Sequence, residues 1–135
     1  MPTAKELTIR LEDRPGTLGK ACRALADDKV NIVVFQSILS EGKGLVRFVV
    51  DDPARAKKIL ENEGLSYQET DIAEAELSHR PAALARATSR LGEADINIDY
   101  AYCGVDPKTN TPQLIFGVVE AGQAAAILDR TAVAA

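Results

Sequence analysis

The sequence predicts an α+β protein built from two βαββαβ units, each an antiparallel sheet carrying its helices on one face. Three observations support this. The chain repeats itself: Leu11-Glu-Asp-Arg-Pro-Gly-Thr-Leu18 is echoed by Leu77-Ser-His-Arg-Pro-Ala-Ala-Leu84, an offset of 66 between Arg14 and Arg80. Within each copy, stretches of alternating apolar residues and stretches of helical periodicity follow one another in the same order. Proline, glycine and aspartate stand at the joins, where a chain must turn.

In the first copy, Leu7, Ile9 and Leu11 alternate with polar residues, the pattern of a half-buried strand. Asp13-Arg14-Pro15-Gly16 stops that strand and opens a helix, with proline at a first-turn position where its missing N–H costs nothing. Leu18, Cys22, Leu25 and Ala26 form the helix's expected buried stripe. Residues 31–40 are a β-branched strand, and Gly42-Lys43-Gly44 lies in a hairpin turn leading to a strand over 45–50. Asp52-Pro53 caps a second helix with Ala56, Ile59 and Leu60 facing inward, and Gly64 ends it. Residues 65–70 close the unit.

The second copy follows suit. The offset of 66 carries Leu25 onto Leu91, Val30 onto Ile96, Asn31 onto Asn97 and Ile32 onto Ile98. Beyond the longer turn at 106–112 it grows to 69, pairing residues 45–50 with 114–119. A strand over 72–78, a helix over 81–93, strands over 97–104 and 113–120 and a helix over 121–129 are expected. Only the alanine-rich tail 130–135 remains for a closing strand, which is therefore short or missing. Two ferredoxin-like units result, over residues 1–70 and 71–135. A unit short of its closing strand has a bare sheet edge, so a homodimer or larger homo-oligomer is expected, with residues 7–11 or 31–40 pairing across units.

Composition narrows the partners. With 46% hydrophobic residues but only 4% aromatic and no Trp, the core is built from Val, Ile, Leu and Ala. A net charge of −4 and a pI near 5.0 argue against a nucleic-acid partner, which requires a surplus of Lys and Arg. The single His, and Cys22 and Cys103 far apart, give neither a metal-ligand cluster nor a disulfide framework. No catalytic residue, cofactor or metal site is expected. The charged N-terminal stretch does not read as a signal peptide, and no stretch reaches membrane-spanning length, so no membrane partner and a cytoplasmic location are expected.

The Asp-Arg-Pro-Gly-x-Leu motif at the first strand–helix turn, with Val30-Asn31-Ile32 opening the second strand, resembles the ACT domain family. The resemblance covers essentially the whole chain as a tandem pair. It implies a stand-alone sensor that binds a small ligand, an amino acid, at interfaces between ACT domains. In liganded members, the turn of one domain and the Asn of a neighbouring domain close over the effector. That implies ligand-binding roles for Asp13, Arg14, Pro15, Gly16, Thr17 and Leu18 in the turn, and for Asn31 and Ile32 on the second strand. Elementary chemistry agrees. The turn lies at a helix N-terminus, where free N–H groups and the helix dipole favour a carboxylate. Gly16 has no Cβ to hold a ligand away from the backbone. Asn31 offers both a donor and an acceptor to a zwitterion.

In the second copy Ala82 replaces the glycine and His79 replaces Asp13, while Asn97 is kept. That site is therefore altered or dead, although His79 there would meet a carboxylate or respond to pH. Pro15 and Pro81 also serve as helix-start residues, Cys22 as core, and Tyr100 and Tyr102 as packing on one strand face. The alternative function is a regulatory subunit of an amino-acid biosynthetic enzyme, like the acetolactate synthase small subunit, whose partner is a separate catalytic subunit.

Overall fold

The computed structural model describes residues 3–78, 80–106 and 108–134, with side chains described as far as Asp129. His79 lies outside the described residues. The chain divides into two compact units, Lys5–Thr70 and Asp71–Ala135 with Met1–Ala4.

In the Lys5–Thr70 unit the elements are β1 (Thr3–Glu12), α1 (Thr17–Asp27), β2 (Ile32–Ser40), β3 (Lys43–Val50), α2 (Pro53–Asn62) and the start of β4 (Tyr67–Glu76). The strand order is β2-β3-β1-β4, with β3 antiparallel to both neighbours. Leu7, Ile9 and Leu11 of β1 share a face with Val46, Phe48 and Val50 of β3. Ala21 and Leu25 of α1 and Ala56, Ile59 and Leu60 of α2 close over that face. Each buried Leu, Ile or Phe contributes roughly 1.5–3 kcal/mol, so this face anchors both helices.

Local chemistry sets the joins. The Asp52 carboxylate accepts from the Arg55 N–H at 3.2 Å, Pro53 opens α2, and Gly64 beyond its end takes a φ of 73°. The β2–β3 hairpin turns on two residues, Glu41 and Gly42, with φ of 52° and 78°, so Lys43 and Gly44 already belong to β3. Positive φ at both central positions matches the twist of the flanking strands. On α1 the buried residues are Ala21 and Leu25, while Leu18 and Cys22 are half-buried and Ala26 is exposed. The stripe is centred one residue away from the expected one, because β2 leaves the Leu18–Cys22 side of the helix partly open. Being interior to the sheet, β1 has no edge for pairing with another unit; β2 has one.

The second unit holds the rest of β4, then α3 (Pro81–Glu93), β5 (Tyr100–Val105), β6 (Pro112–Gly117) and α4 (Ala121–Ala134). Its strands run β4-β6-β5, and β1, whose first residues belong to this unit, lies beside β4. The expected strands over 65–70 and 72–78 are one strand, β4. The tail offers no closing strand, because α4 continues through it to Ala134, as alanine's high helix propensity favours. The core is alanine-rich: Ala73, Ala75, Ala83, Ala87, Ala124 and Ala125 are buried with Leu91, Phe116 and Leu128.

The registers correct the repeat. Leu7 faces Phe48, and its counterpart Ala73 faces Phe116, so the offset beyond the hairpin is 68 and not 69. Phe48 and Phe116 are the paired core residues. A shift of one residue would turn every side chain of the strand to the wrong face.

Candidate functional site

The turn between β1 and α1 is held by its own backbone. The Arg14 N–H donates to the Glu12 carbonyl at 2.9 Å, and the Thr17 hydroxyl reaches the Glu12 and Arg14 carbonyls at 2.9 and 3.2 Å. The Arg14 guanidinium pairs with the Glu12 carboxylate at 2.9 Å in solvent. Asp13 and Pro15 are exposed, and Pro15 precedes the helix, whose N-cap is Gly16. Gly16 has a φ of 93°, the left-handed region that side chains disfavour, and its carbonyl accepts the first helical bond, from Lys20, at 2.9 Å. No side chain caps α1, and a Cβ on Gly16 would meet nothing within 4 Å. The turn thus presents an uncapped helix start to open space.

The second turn has a different backbone. There α3 starts at Pro81, the counterpart of Pro15, with Arg80 as an extended N-cap at φ −137°. Ala82 is therefore already helical, and no left-handed residue is required. The copies differ in where the helix begins, not merely by a methyl group.

Asn31 follows the end of α1, where Lys29 adopts a φ of 61° and the Val30 N–H bonds the Leu25 carbonyl at 2.9 Å. A clamp holds its backbone: the Asn31 N–H donates to the Asp51 carboxylate at 3.0 Å, and the Asp51 N–H donates to the Asn31 carbonyl at 3.1 Å. The exposed Asn31 carboxamide makes no hydrogen bond among the described residues. Asn97 differs, since its amide donates to the Asp99 carboxylate at 3.1 Å. At the register offset of 68, the counterpart of Asp51 is Val119, which is 85% exposed.

Gly16 and Asn31 flank opposite ends of α1. Its 11 residues span about 16 Å, so one unit cannot bring both to one small zwitterion. What the unit does gather is Leu18 and Ile32, which line an apolar crevice with Cys22, Phe35 and Phe48. At about 10 Å³ that crevice has room for one water at most.

A larger feature escapes sequence reading. A cleft of about 320 Å³ opens at the end of β1 in the same unit, and Arg10, Arg14, Lys20, Lys43, Glu12 and Glu63 carry its charge. Leu11, Ala21 and Leu65 supply apolar lining. These positions are scattered along β1, α1, β3 and the end of α2, and no local motif announces them. Among the described residues no group of three or more His, Cys, Asp and Glu is placed to hold a metal ion. Among the described residues no helix is long and apolar enough to cross a membrane.

No curated protein matches the sequence. Among solved structures, a protein from Bacteroides thetaiotaomicron superposes with a TM-score of 0.84 at 24% identity, over 95% of this chain and 88% of that one. Aspartokinase alpha and beta subunits give 0.65 at 17% identity, covering 97% of each chain. The ligand-free regulatory subunit of aspartate kinase from Thermus thermophilus gives 0.64 at 17%, over 96% of this chain and 92% of that one. These likenesses show a shared fold. The family model described as an ACT domain pair matches residues 2–131, and with almost the entire chain inside that match, the chain belongs to the ACT domain pair family.

Proposed function

We propose that this chain is a regulatory sensor that binds an amino acid between copies of itself. The ligand's carboxylate sits against the backbone N–H groups at residues 16–18, Asp13 meets its ammonium group, and Asn31 of a second copy hydrogen-bonds it. The observation that carries this reading is the Asn31 carboxamide, fixed through its backbone by Asp51 yet left without a partner. A polar group oriented this way and satisfied by nothing internal is suited to an external donor–acceptor pair. The uncapped start of α1 supplies the complementary surface. The second turn, with its different backbone and its engaged Asn97, is the weaker or silent site.

A thermal-shift screen of the amino acids tests this, because a ligand that binds only the native state raises the melting temperature. The identified ligand should bind Asn31→Ala and Asp13→Ala about ten-fold more weakly, since a hydrogen bond to a charged group contributes roughly 1.5–3 kcal/mol. The free variants should melt as the parent does. No shift with any amino acid would sink the reading. The similarity to an aspartate kinase regulatory subunit favours one alternative, that the sensor acts on a separate catalytic chain of amino-acid biosynthesis. Recovery of such a chain with the tagged protein from its own cells would establish it.

A further inference from the structure

The charged cleft at the end of β1 adjoins the turn used above, since Arg14 and Thr17 line it, but its other charged groups serve nothing in that reading. Four cations and two carboxylates line it, although the chain as a whole carries −4. Arg14 is occupied by Glu12, and Lys43, although opposite Glu12 in the strand register, has no ion pair with it. Arg10, Lys20 and Lys43 are left without an ion pair or side-chain hydrogen bond among the described residues. Like charges gathered at one cleft repel. The fold does not require this gathering. In the second copy the counterpart of Arg10 is Glu76, on β4, and that of Lys43 is Thr111, just before β6.

We propose that this cleft binds a small polyanion, a metabolite carrying phosphate or multiple carboxylate groups, at a site that adjoins the one for the amino acid. Arg10, Lys20 and Lys43 supply the charge, and the volume suits a molecule of metabolite size. Arg14 and Thr17 of the turn line it, whereas Asp13, Gly16 and Asn31 do not.

Calorimetry of the full chain with pyrophosphate and with citrate at low ionic strength tests the site. At least one of the two should bind saturably, with affinity falling as salt rises. Binding of pyrophosphate alone identifies a phosphate site; binding of both identifies a site that reads charge. Lys43→Ala and Arg10→Glu should each weaken binding by about ten-fold or more, the effect of losing a charge-assisted contact. Lys58→Ala, on the exposed side of α2 and outside the cleft, should leave it unchanged. Asn31→Ala should also leave it unchanged, which separates failure of this site from failure of the amino-acid site. The proposal is overturned if neither anion binds, if Lys58→Ala is as harmful as Lys43→Ala, or if Asn31→Ala abolishes anion binding. Lys43 is exposed at the start of β3, so Lys43→Ala keeps the test valid should Arg10→Glu fail to fold.

Discussion

Asn31 and Gly16 show how far single residues can be read from a sequence. Asn31 is legible because it stands between an apolar helix and a β-branched strand at the same place in both copies. What fixes it, Asp51, lies 20 residues away across the sheet, and no local pattern connects them. Gly16 is legible as a glycine in a turn, and its backbone adds a reason that the sequence does not show. Its left-handed φ demands glycine, whereas the space around it does not. Glu74 shows the converse, an ordinary-looking acid made special by burial. Burial raises its pKa above the usual 4.5, against the opposing pull of Gln113, whose amide donates to it at 2.5 Å. A carboxyl raised in the folded state contributes stability that is fully present below its unfolded value, and that stability is lost as pH rises through its folded value. Glu74 therefore works against stability as pH climbs from about 4.5 toward neutrality, and Glu74→Gln should gain melting temperature relative to the parent over that range. Parallel melts of both proteins at pH 4 and pH 7 check this, and a difference between them that does not change with pH would show that Glu74 titrates alike in the folded and unfolded states.

At the scale of elements, order was readable and register was not. The alternation of Leu7, Ile9 and Leu11, the Asp52-Pro53 start of α2 and the Gly64 stop were all plain, because each obeys a short-range rule. The pairing of the third strands slipped by one residue because Val-Val dipeptides end both segments and match at the wrong offset. Only the partner strand settles which face is buried. The correct register places Gly117 opposite Tyr100, and a Cβ on Gly117 would clash with the Tyr100 ring. The glycine thus makes room for an aromatic side chain that lies across β6 and stacks with Tyr102 at 6.4 Å between ring centres. Gly117→Ala should displace the ring and destabilise by about 1–3 kcal/mol, as overpacking does. In a Tyr100→Ala background the same substitution should be nearly neutral. A double-mutant cycle by denaturant unfolding measures the coupling, and additivity would refute the contact.

At the scale of the molecule, the expectation of self-association rested on an unclosed second unit, but the structure moves the argument to β2. This strand is the outer edge of the Lys5–Thr70 unit, nine residues long. It exposes Phe35 at 52%, Ile38 at 42% and Leu39 at 67%, an unusual load of large apolar groups for an edge strand. Phe35 and Leu39 project from the face that carries α1, since their register partners are Phe48 and Gly44, and Gly44 in turn faces the buried Leu11. Half-buried Leu18 and Cys22 adjoin Phe35 there, so a second copy adding its own β2 would bury both strands' apolar groups together. The proposed amino-acid site would need the same event, because α1 separates Gly16 from Asn31 within one unit. Light scattering should therefore give at least a dimer at micromolar concentration. Leu39→Lys, which places a charge on that edge, should shift the protein to monomer while leaving its far-ultraviolet dichroism intact. It should also abolish the amino-acid shift without affecting anion binding in the cleft, since Leu39 does not line it. A Leu39→Lys protein that remained dimeric would place the interface on another surface, and with it the partner for Asn31.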